Sequence, residues 1–313
     1  MLHYGILSTS SIAPRFIAGV RAAEAGEVVA LSSRTVEKAR EKAALWDIPT
    51  AYGSHAQLLA DPQVDIVYIS NVHTAHYPWA KAALEAGKHV VCEKPCTLSA
   101  TQTAELYDLA REKGLFFMEA QKMLLLPAIL EVQKRIRDGW FGPVRMAELA
   151  HSFDASYNNW MYDAAVGGGP IWASGIYVTE LLYALFGPFE TCSGICTALE
   201  NGVECQYILS GRMENGVLFT AKNSTVALLR NGAALYGERG WVEIPDYWKA
   251  RKLVFHPKNG EPEILEFPCE HELSYEADHV RRCIEQGLCE SPVVTKALSV
   301  AGIAALEEIR SRW

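Results

Sequence analysis

The sequence has no apolar run close to the roughly 20 residues that cross a bilayer, and it has no excess of basic residues. Its 29 Lys and Arg against 37 Asp and Glu give a formal net charge of −8. This charge argues against the basic surface that nucleic acids and anionic membranes require, so we expect neither partner. A strand begins almost at Met1 with no signal-peptide pattern before it. We therefore expect a cytoplasmic protein.

The eight cysteines lack the Cys-x-x-Cys spacing that zinc and redox motifs use. Cys92 with Cys96, and Cys192 with Cys196, are four positions apart, but no second ligand pair lies nearby in the sequence. We expect reduced, mostly buried thiols and no metal site.

Internal repeats and low-complexity linkers are also missing. At 313 residues, however, the chain is too long for one ordinary hydrophobic core. We expect two domains, one over residues 1–120 and one over residues 121–313.

What the first 120 residues do contain is a regular alternation of short apolar strands and amphipathic helices. Strands are predicted at 4–7, 28–31, 65–70, 90–92 and 115–119, with helices between them that include 54–60, 74–86 and 99–113. Such alternation predicts an α/β domain with a doubly wound parallel sheet of the Rossmann type.

The pattern changes after residue 120. A helix at 127–139 and a strand at 144–149 precede a polar, aromatic loop at 156–163, a triple glycine at 167–169 and a helix that ends at Phe186. Residues 190–255 then alternate between apolar and polar residues, with Asn-Gly turns at 201–202, 215–216 and 231–232. Asn-Gly between alternating runs is a strong hairpin signal. The pattern predicts an α+β domain with a large, mostly antiparallel sheet, closed by two helices within 275–313.

The loop after the first strand lacks the glycines of a dinucleotide fingerprint. Serines and a threonine take their place, and they can still offer backbone and hydroxyl donors to a phosphate group. The candidate phosphate-binding residues are Ser8, Thr9, Ser10, Ser11 and Ile12.

The acid that normally contacts the ribose hydroxyls of NAD at the end of the second strand is missing too. Ser33 and Arg34 stand there, and Lys38 follows one helical turn later. A guanidinium binds a 2′-phosphate through paired, charged hydrogen bonds, whereas a carboxylate repels it. We therefore favour NADP(H) as the cofactor, with NAD(H) as the alternative.

Two more strand ends carry candidate residues. In an open α/β sheet, ligands lie outside the carboxyl ends of the strands, and a proline with a fixed φ holds the lysine before it in place. A solvated Glu-Lys pair is the alternative for the fifth strand, and a helix cap is the alternative for the histidines. The candidates are Asn71, His73 and His76 after the fourth strand, and Glu93 and Lys94 before Pro95.

Several of these motifs together resemble the glucose-fructose oxidoreductase / inositol dehydrogenase (Gfo/Idh/MocA) family. The resemblance is strongest to the branch with dimeric dihydrodiol dehydrogenases and NADP-dependent D-xylose dehydrogenases, and it spans nearly the whole chain. The motifs are Ala86-Gly87-Lys88-His89-Val90, Glu93-Lys94-Pro95, Met118-Glu119-Ala120, Gly167-Gly168-Gly169, Gly175-Ile176-Tyr177, Tyr275-Glu276-Ala277 and Glu290-Ser291-Pro292.

The resemblance implies an active site between the two domains, with Lys94 beside the nicotinamide and Tyr177 as the proton-transferring tyrosine. It also implies an aromatic residue near the cofactor, here Trp160. Residues 1–120 are then expected to form the dinucleotide-binding domain and residues 121–313 the substrate-binding and dimerisation domain. The large sheet of such proteins often pairs subunits, so a homodimer or larger homo-oligomer is expected.

The chain departs from the family pattern at two positions. Ala173 stands where an aspartate is usual, and Leu124 stands where an arginine is often found. His151, Asp154 and Asp163 are alternative replacements for the aspartate, and the sequence does not choose among them.

Two classes of function remain. The first is an NADP(H)-dependent oxidoreductase that transfers hydride to or from the carbinol carbon of a sugar or cyclic diol, with Lys94 and Tyr177 at the reacting oxygen. The second is a non-catalytic dinucleotide-binding sensor or regulator, which Ala173 favours. NAD-dependent glycoside hydrolysis fits less well.

Overall fold

The computed structural model describes residues 1–155 and 159–313. Its strands are β1 (His3–Leu7), β2 (Glu27–Ser32), β3 (Thr50–Tyr52), β4 (Ile66–Ile69), β5 (His89–Glu93), β6 (Phe117–Ala120), β7 (Val144–Ser152), β8 (Phe189–Ala198), β9 (Glu204–Met213), β10 (Leu218–Ser224), β11 (Gly232–Gly237), β12 (Gly240–Pro245), β13 (Lys252–Pro257) and β14 (Glu263–Glu266). Its α-helices are α1 (Ala13–Ala22), α2 (Val36–Trp46), α3 (His55–Leu59), α4 (His73–Glu85), α5 (Ala100–Lys113), α6 (Pro127–Arg137), α7 (Ile176–Phe186), α8 (Ser274–Glu285) and α9 (Lys296–Arg310).

The chain forms two compact units. The nucleotide unit holds Met1–Lys122 and His271–Val300, and the sheet unit holds Met123–Glu270 and Ala301–Trp313. Among the described residues, no helix combines the length and the apolar character needed to cross a membrane.

The sheet of the nucleotide unit has six parallel strands in the order β3-β2-β1-β4-β5-β6. β4 and β6 are buried along their whole lengths, as expected for a parallel sheet that helices cover on both faces. The strand order reverses direction at β1, between β2 and β4. That reversal is the place where doubly wound sheets bind ligands, and the predicted Rossmann sheet is confirmed.

Residues 271–300, which the sequence assigned to the second domain, group with the nucleotide unit instead. The reason is the packing of α8 against α1. A Cβ atom on Gly19 of α1 would lie 2.7 Å from the carbonyl carbon of Leu273, so only glycine permits this close approach. Further along, the Lys296 ammonium lies 2.6 Å from a carboxylate oxygen of Asp108. The boundary expected after residue 120 therefore marks only the first passage of the chain from the nucleotide unit to the sheet unit, because the chain returns to the nucleotide unit at His271.

The sheet unit contains an eight-stranded sheet in the order β14-β13-β12-β11-β7-β10-β9-β8. Neighbouring strands run antiparallel except β7 and β10, which are parallel. The mostly antiparallel sheet is confirmed, but it extends beyond residues 190–255. β7 joins it in the middle, because it pairs with both β10 and β11.

Burial alternates along the strands of this large sheet. On β10, Phe219 and Ala221 are buried while Leu218 and Thr220 are exposed. One face of the sheet is therefore covered by the rest of the unit, and the other face is open.

Element boundaries differ from the predicted ones by a few residues, with identifiable causes. β6 begins at Phe117 rather than Leu115 because α5 ends with Gly114 in a left-handed conformation (φ +65°). The amide of Leu115 is then bonded back to the carbonyl of Ala110. In the loop predicted at 156–163, residues 159–162 form a 3₁₀ turn, and residues 156–158 lie outside the described residues.

Candidate active site

The carboxyl ends of four neighbouring strands bring most of the predicted residues to one edge of the parallel sheet. Because β2, β1, β4 and β5 are adjacent and parallel, their carboxyl ends lie along the same edge. The residues at this edge are Ser8, Thr9, Ser10, Ser11 and Ile12 after β1, Ser33, Arg34 and Lys38 after β2, Asn71, His73 and His76 after β4, and Glu93 and Lys94 at the end of β5.

The loop after β1 has the backbone of a phosphate-binding turn without its glycines. Ser8 adopts a φ of +102°, a region that glycine normally occupies. The Ser10 hydroxyl donates to the Ser70 hydroxyl, 2.7 Å away, beyond the end of β4. Ile12, the first residue before α1, supplies no side-chain cap to the helix. A left-handed turn with several hydroxyl groups before a helix start fits the phosphates of a dinucleotide.

The end of β2 presents positive charge. Arg34 and Lys38 are exposed, whereas Ser33 is buried and its amide donates to the carbonyl of Tyr52. Burial lowers the pKa of nearby His55, and the charge of Arg34 lowers it further. The exposed cations are the residues of this edge that fit a ribose phosphate.

His76 connects the end of β4 to the segment that carries Lys94. Its Nδ1 lies 2.8 Å from the carbonyl oxygen of Pro95, and its Nε2 lies 3.0 Å from that of Asn71. Burial lowers the pKa of His76, although both carbonyl contacts oppose this. A neutral imidazole has one N–H and therefore donates to one of the two carbonyls at a time. Both ring nitrogens thus face the protein backbone, which makes His76 a support for residues 94–95.

Glu93 fixes the same segment from the other side. One of its oxygens accepts the Tyr68 hydroxyl at 2.6 Å, and the other accepts the backbone N–H of Lys94 at 3.2 Å. The amide of Cys96 donates to Glu119 at 3.0 Å. The half-buried Lys94 side chain therefore starts from a backbone held on both sides.

A buried group of charges, which the sequence did not reveal, lies near Glu93. Lys122, after β6, is nearly buried, and Glu276 of α8 is fully buried. Burial lowers the pKa of Lys122, and the charge of Glu93 opposes that shift. Burial raises the pKa of the Glu276 carboxyl, and the charge of Glu93 raises it further. Arg15 forms an ion pair with Glu272 beside this group.

In the sheet unit, the triple glycine has a steric explanation. A Cβ atom on Gly168 would lie 2.7–2.8 Å from three backbone carbonyl oxygens. Gly169 has a φ of +105°, and a Cβ atom there would collide with the carboxylate of Glu204. That carboxylate accepts the amide of Ile171 at 3.2 Å and lies 3.6 Å from the Arg310 guanidinium. The glycines let the chain pass close to itself just before α7.

Tyr177 is the second residue of α7 and is only 6% exposed. The five residues before this helix, Ile171–Gly175, form a single π-helical turn that contains Ala173. Burial raises the pKa of the Tyr247 phenol, and the charges of Tyr207 and Tyr177 raise it further. Three phenols therefore lie near one another within the sheet unit.

The other candidates of this unit differ in their surroundings. His151 is buried and stacks on Trp248, with ring centroids 3.7 Å apart. Asp154 is exposed, and Asp163 is exposed and caps the turn at Ala164–Val166 by accepting the amide of Ala165. Trp160 is half-buried in the 3₁₀ turn before the triple glycine. Of the three proposed replacements for the aspartate, His151 is the one on the covered face of the sheet.

Sequence reasoning missed Glu204 and Asn223, and it named Glu276 only as part of the Tyr275-Glu276-Ala277 motif, without a role. Asn223 had a usable signal, because the alternation Phe219, Ala221, Asn223 places it on the covered face of β10. The burial of Glu204 and Glu276 had no such signal, because it depends on distant segments. Within the described parts of the chain, no group of three or more His, Cys, Asp or Glu residues is arranged to hold a metal ion.

Family models match both units. Residues 2–121 match the oxidoreductase family with an NAD-binding Rossmann fold, GFO_IDH_MocA, and residues 129–243 match the GFO/IDH/MocA C-terminal domain.

Curated relatives match along the whole length. Trans-1,2-dihydrobenzene-1,2-diol dehydrogenase of Mus musculus is 34% identical over 319 residues, covering 99% of this chain and 96% of the relative. The Bos taurus protein of the same name is 32% identical over 321 residues, with the same coverage.

Solved structures share the fold. A 3-ketoreductase from Actinomadura kijaniata, in complex with NADP and TDP-benzene, has a TM-score of 0.90 at 22% identity, covering 99% of this chain and 97% of that one. Levoglucosan dehydrogenase with NADH and levoglucosan has a TM-score of 0.88 at 18% identity, with the same coverage. The two domain matches and the full-length relatives show that the chain belongs to the glucose-fructose oxidoreductase / inositol dehydrogenase (Gfo/Idh/MocA) family of oxidoreductases.

Proposed function

We propose that this protein is an NADP(H)-dependent dehydrogenase that oxidises a carbinol group of an uncharged sugar or cyclic diol, or reduces the matching ketone. The observation that carries the proposal is the way Lys94 is held at the edge of the parallel sheet. Glu93 binds its amide, and His76 lies against the next carbonyl. Such support fixes the backbone from which the Lys94 ammonium extends, and hydride chemistry at a carbinol requires a well-positioned cation.

The preference for NADP(H) rests on the end of β2. Arg34 and Lys38 are exposed there, and an acid for ribose hydroxyls is missing from Ser32 to Thr35. The 3-ketoreductase of the same fold was solved with NADP, and levoglucosan dehydrogenase was solved with NADH. Because the fold accepts both, the charge at Arg34 decides the preference here.

Lys94 and Tyr177 would act on the same substrate oxygen. Oxidation breaks the carbinol C–H and O–H bonds and forms a carbonyl. Acceptance of the hydride from the carbinol carbon is the chemistry that NADP⁺ would supply when bound. The hydroxyl proton passes to the phenolate oxygen of Tyr177, which the positive charge of Lys94 favours over the phenol. The same ammonium donates a hydrogen bond to the substrate oxygen as the carbonyl forms.

The proposed substrate class follows from uncharged and aromatic residues of the sheet unit and from the relatives. Ala173 and Leu124 are uncharged at positions where the family often has charge, and the stacked pair of His151 and Trp248 adds aromatic surface. A neutral ring that carries adjacent hydroxyls suits such surroundings. The relatives named above act on a dihydrobenzene diol by name, and an aldose-aldose oxidoreductase from Caulobacter crescentus shares the fold at 25% identity.

We also propose that two copies pair through the open face of the large sheet. Exposed apolar residues face each other across its strands: Ile195 pairs with Ile208, and Leu218 with Met146. Lys222 lies opposite Ile208, and Arg212 lies opposite Leu218, so these exposed apolar pairs stand among charged residues, a mixture that is usual in interfaces between subunits.

The experiment that tests the activity is a screen of cyclic diols and aldoses with NADP⁺, followed by the absorbance of the reduced nicotinamide. We expect turnover with at least one neutral vicinal diol. A matched pair of variants reports on the site: Tyr177→Phe should lose activity, and Tyr183→Phe, on the same helix, should keep it. No turnover in the wild type or in an Ala173→Asp variant, despite NADP binding, would contradict the proposal and favour a binding protein.

A further inference from the structure

The covered face of the large sheet is apolar along β10 until the end of that strand. Phe219 and Ala221 lie on this face, and Asn223 follows two positions later with 2% of its surface exposed. Asn223 is in register with Tyr207 of β9 and His151 of β7. The apolar face therefore ends in a row of three buried polar side chains. Because burying a polar group without a hydrogen-bond partner is costly, each member of the row is expected to have such a partner.

Asn223 is bonded to the π-helical turn before α7. Its Nδ2 donates to the hydroxyl of Ser174 at 2.6 Å, and that hydroxyl donates to the carbonyl oxygen of Pro170 at 2.8 Å. The directions are consistent, because Ser174 donates its only hydroxyl proton to Pro170 and therefore accepts from Asn223. Ser174 is itself buried, with 1% of its surface exposed. The two hydrogen bonds therefore link Asn223 of the sheet, through Ser174 within the π turn, to Pro170, the residue just before that turn.

A further hydrogen bond holds the same π turn at its first residue. Glu204 accepts the backbone N–H of Ile171, the first residue of the turn. The turn is thus tied to β9 at its start and to β10 near its end. Isolated π turns within helices are rare and are frequent at functional sites, so two dedicated polar supports indicate that this one is maintained by the sequence.

The π turn sets the direction in which Tyr177 points. The chain turns by about 100° per residue in an α-helix, which has 3.6 residues per turn, and by less in a π turn, whose hydrogen bonds span five residues instead of four. Tyr177 follows the turn Ile171–Gly175 by two positions. If the turn relaxed to α-helical geometry, the phenol would point away from its present direction unless the helix shifted as a whole.

We propose that Asn223 and Ser174 are positioning residues that keep the π turn and thereby aim the Tyr177 phenol at the reacting oxygen. The catalytic part of this inference, that the Tyr177 phenol is aimed at a reacting oxygen, rests on the proposed dehydrogenase function. The structural part, that these residues maintain the π turn, rests only on the contacts among Asn223, Ser174 and Pro170. Neither Asn223 nor Ser174 is proposed to touch the substrate or the cofactor.

The test compares three variants under the same assay. Ser174→Ala removes the link with little loss of volume, Asn223→Asp removes the amide donor at constant shape, and Ser174→Thr keeps a hydroxyl. We expect Ser174→Ala and Asn223→Asp each to lower kcat by about 10–100-fold, with the KM for NADP⁺ within twofold of the wild type. The double variant should be no worse than Ser174→Ala alone, because that variant already removes the contact with Asn223, and Ser174→Thr should retain most of the activity.

Asn231→Asp is the matched control, since Asn231 also bonds a serine of this sheet, Ser152, through its side-chain amide. It should leave kcat nearly unchanged. If Ser174→Ala lowered the unfolding temperature while kcat and the pH dependence of kcat stayed at wild-type values, the link would be merely structural and the proposal would be overturned.

A crystal structure of Ser174→Ala separates this inference from the proposed function. We expect residues 170–177 to lose the π turn and the Tyr177 ring to change direction. An unchanged turn would overturn the proposal even if the enzyme were active. If the wild type had no dehydrogenase activity at all, the proposed function would fail, and this structure would still decide whether the link maintains the turn.

Discussion

The two sheets of this protein carry their functional residues in different ways. In the six-stranded parallel sheet, both faces are buried, and polar residues appear where strands end, as Glu93 and Lys94 do at β5. In the eight-stranded sheet, only one face is buried, and polar residues stand on that buried face itself, as Asn223 does near the end of β10.

The difference follows from what each sheet can expose. A parallel sheet between two helical layers has no free face, so its chemistry is confined to the loops at one edge. A sheet with one covered face has room for side chains between the face and the segment that covers it. The residue proposed to act on the substrate from the large-sheet unit, Tyr177, belongs to that covering segment and depends on the face beneath it.

The largest expected effect tests whether one residue from each unit works on one oxygen. Lys94→Met should lower turnover by about 10²–10⁴-fold, as the loss of a proton-transfer or electrostatic partner does, and leave NADP binding within a few-fold. Tyr177→Phe should cause a similar loss and change the pH profile, because it removes only the ionisable hydroxyl. Steady-state kinetics and calorimetry with NADP measure both effects.

The double variant sharpens this comparison. If both residues act on the same oxygen, Lys94→Met with Tyr177→Phe should lose much less than the product of the single losses. Multiplied losses would mean two independent roles. Full activity of Lys94→Met on a confirmed substrate would contradict the mechanism.

The next effect concerns the open face, which the parallel sheet does not have. Ile208→Lys places a second positive charge on the open face, between Ile195 and Lys222. In a dimer interface, such an unpaired charge costs about 2–5 kcal/mol, so light scattering at micromolar concentration should show a dimer for the wild type and monomer for the variant. Leu228→Lys is the control, since Leu228 is exposed outside the strands of the sheet. A monomeric wild type would rule out this interface.

A smaller effect is expected at the edge of the parallel sheet. Arg34→Ala should weaken NADP binding by roughly 1.5–3 kcal/mol, the value of hydrogen bonds to a charged group, and leave NAD binding nearly unchanged. Arg40→Ala, which removes an exposed cation of α2, should change neither. Isothermal titration with both nucleotides measures this, and tighter binding of NAD than NADP by the wild type would contradict the cofactor assignment.

The same contrast explains how much the sequence could predict. Strand ends follow local hydrophobic patterns, so the parallel sheet and the positions of Arg34, His76 and Lys94 at its edge were predictable. That His76 faces two backbone carbonyls was not, because the contact with Pro95 joins residues 19 apart in sequence.

Features set by distant packing were not predictable. The return of α8 to α1 depends on the fit of Gly19 against Leu273, and the parallel pair β7–β10 depends on which strands meet across the unit. The π turn is held by Glu204 and Asn223, far away in sequence. Such partners leave no periodic signal, since a single polar residue in an alternating run looks the same with or without a partner.

The smallest expected effect is a pH-dependent stabilisation of the protein when Glu276 is replaced by glutamine. This carboxyl is fully buried, and within the described residues neither of its oxygens has a hydrogen-bond partner. Burial raises its pKa, and the charge of Glu93 raises it further, against the opposing effect of Lys122. Between its unfolded pKa, about 4.3, and its folded pKa, only the native state holds the proton. The stability of the wild type should therefore fall across that range as pH rises.

Glu276→Gln removes this titration, so the variant should match the wild type in acid and exceed it by on the order of 1 kcal/mol at higher pH. Glu272→Gln, in the same group, is the control with the opposite sign. Although burial opposes the shift, hydrogen bonding and the charge of Arg15 lower the pKa of Glu272. Its contribution is present above the unfolded pKa and is lost as pH falls through the folded pKa, so Glu272→Gln should destabilise at neutral pH. Urea unfolding at several pH values measures both variants. A loss of stability in Glu276→Gln at neutral pH would mean that Glu276 is ionised and paired with Lys122, because breaking a buried ion pair is strongly destabilising.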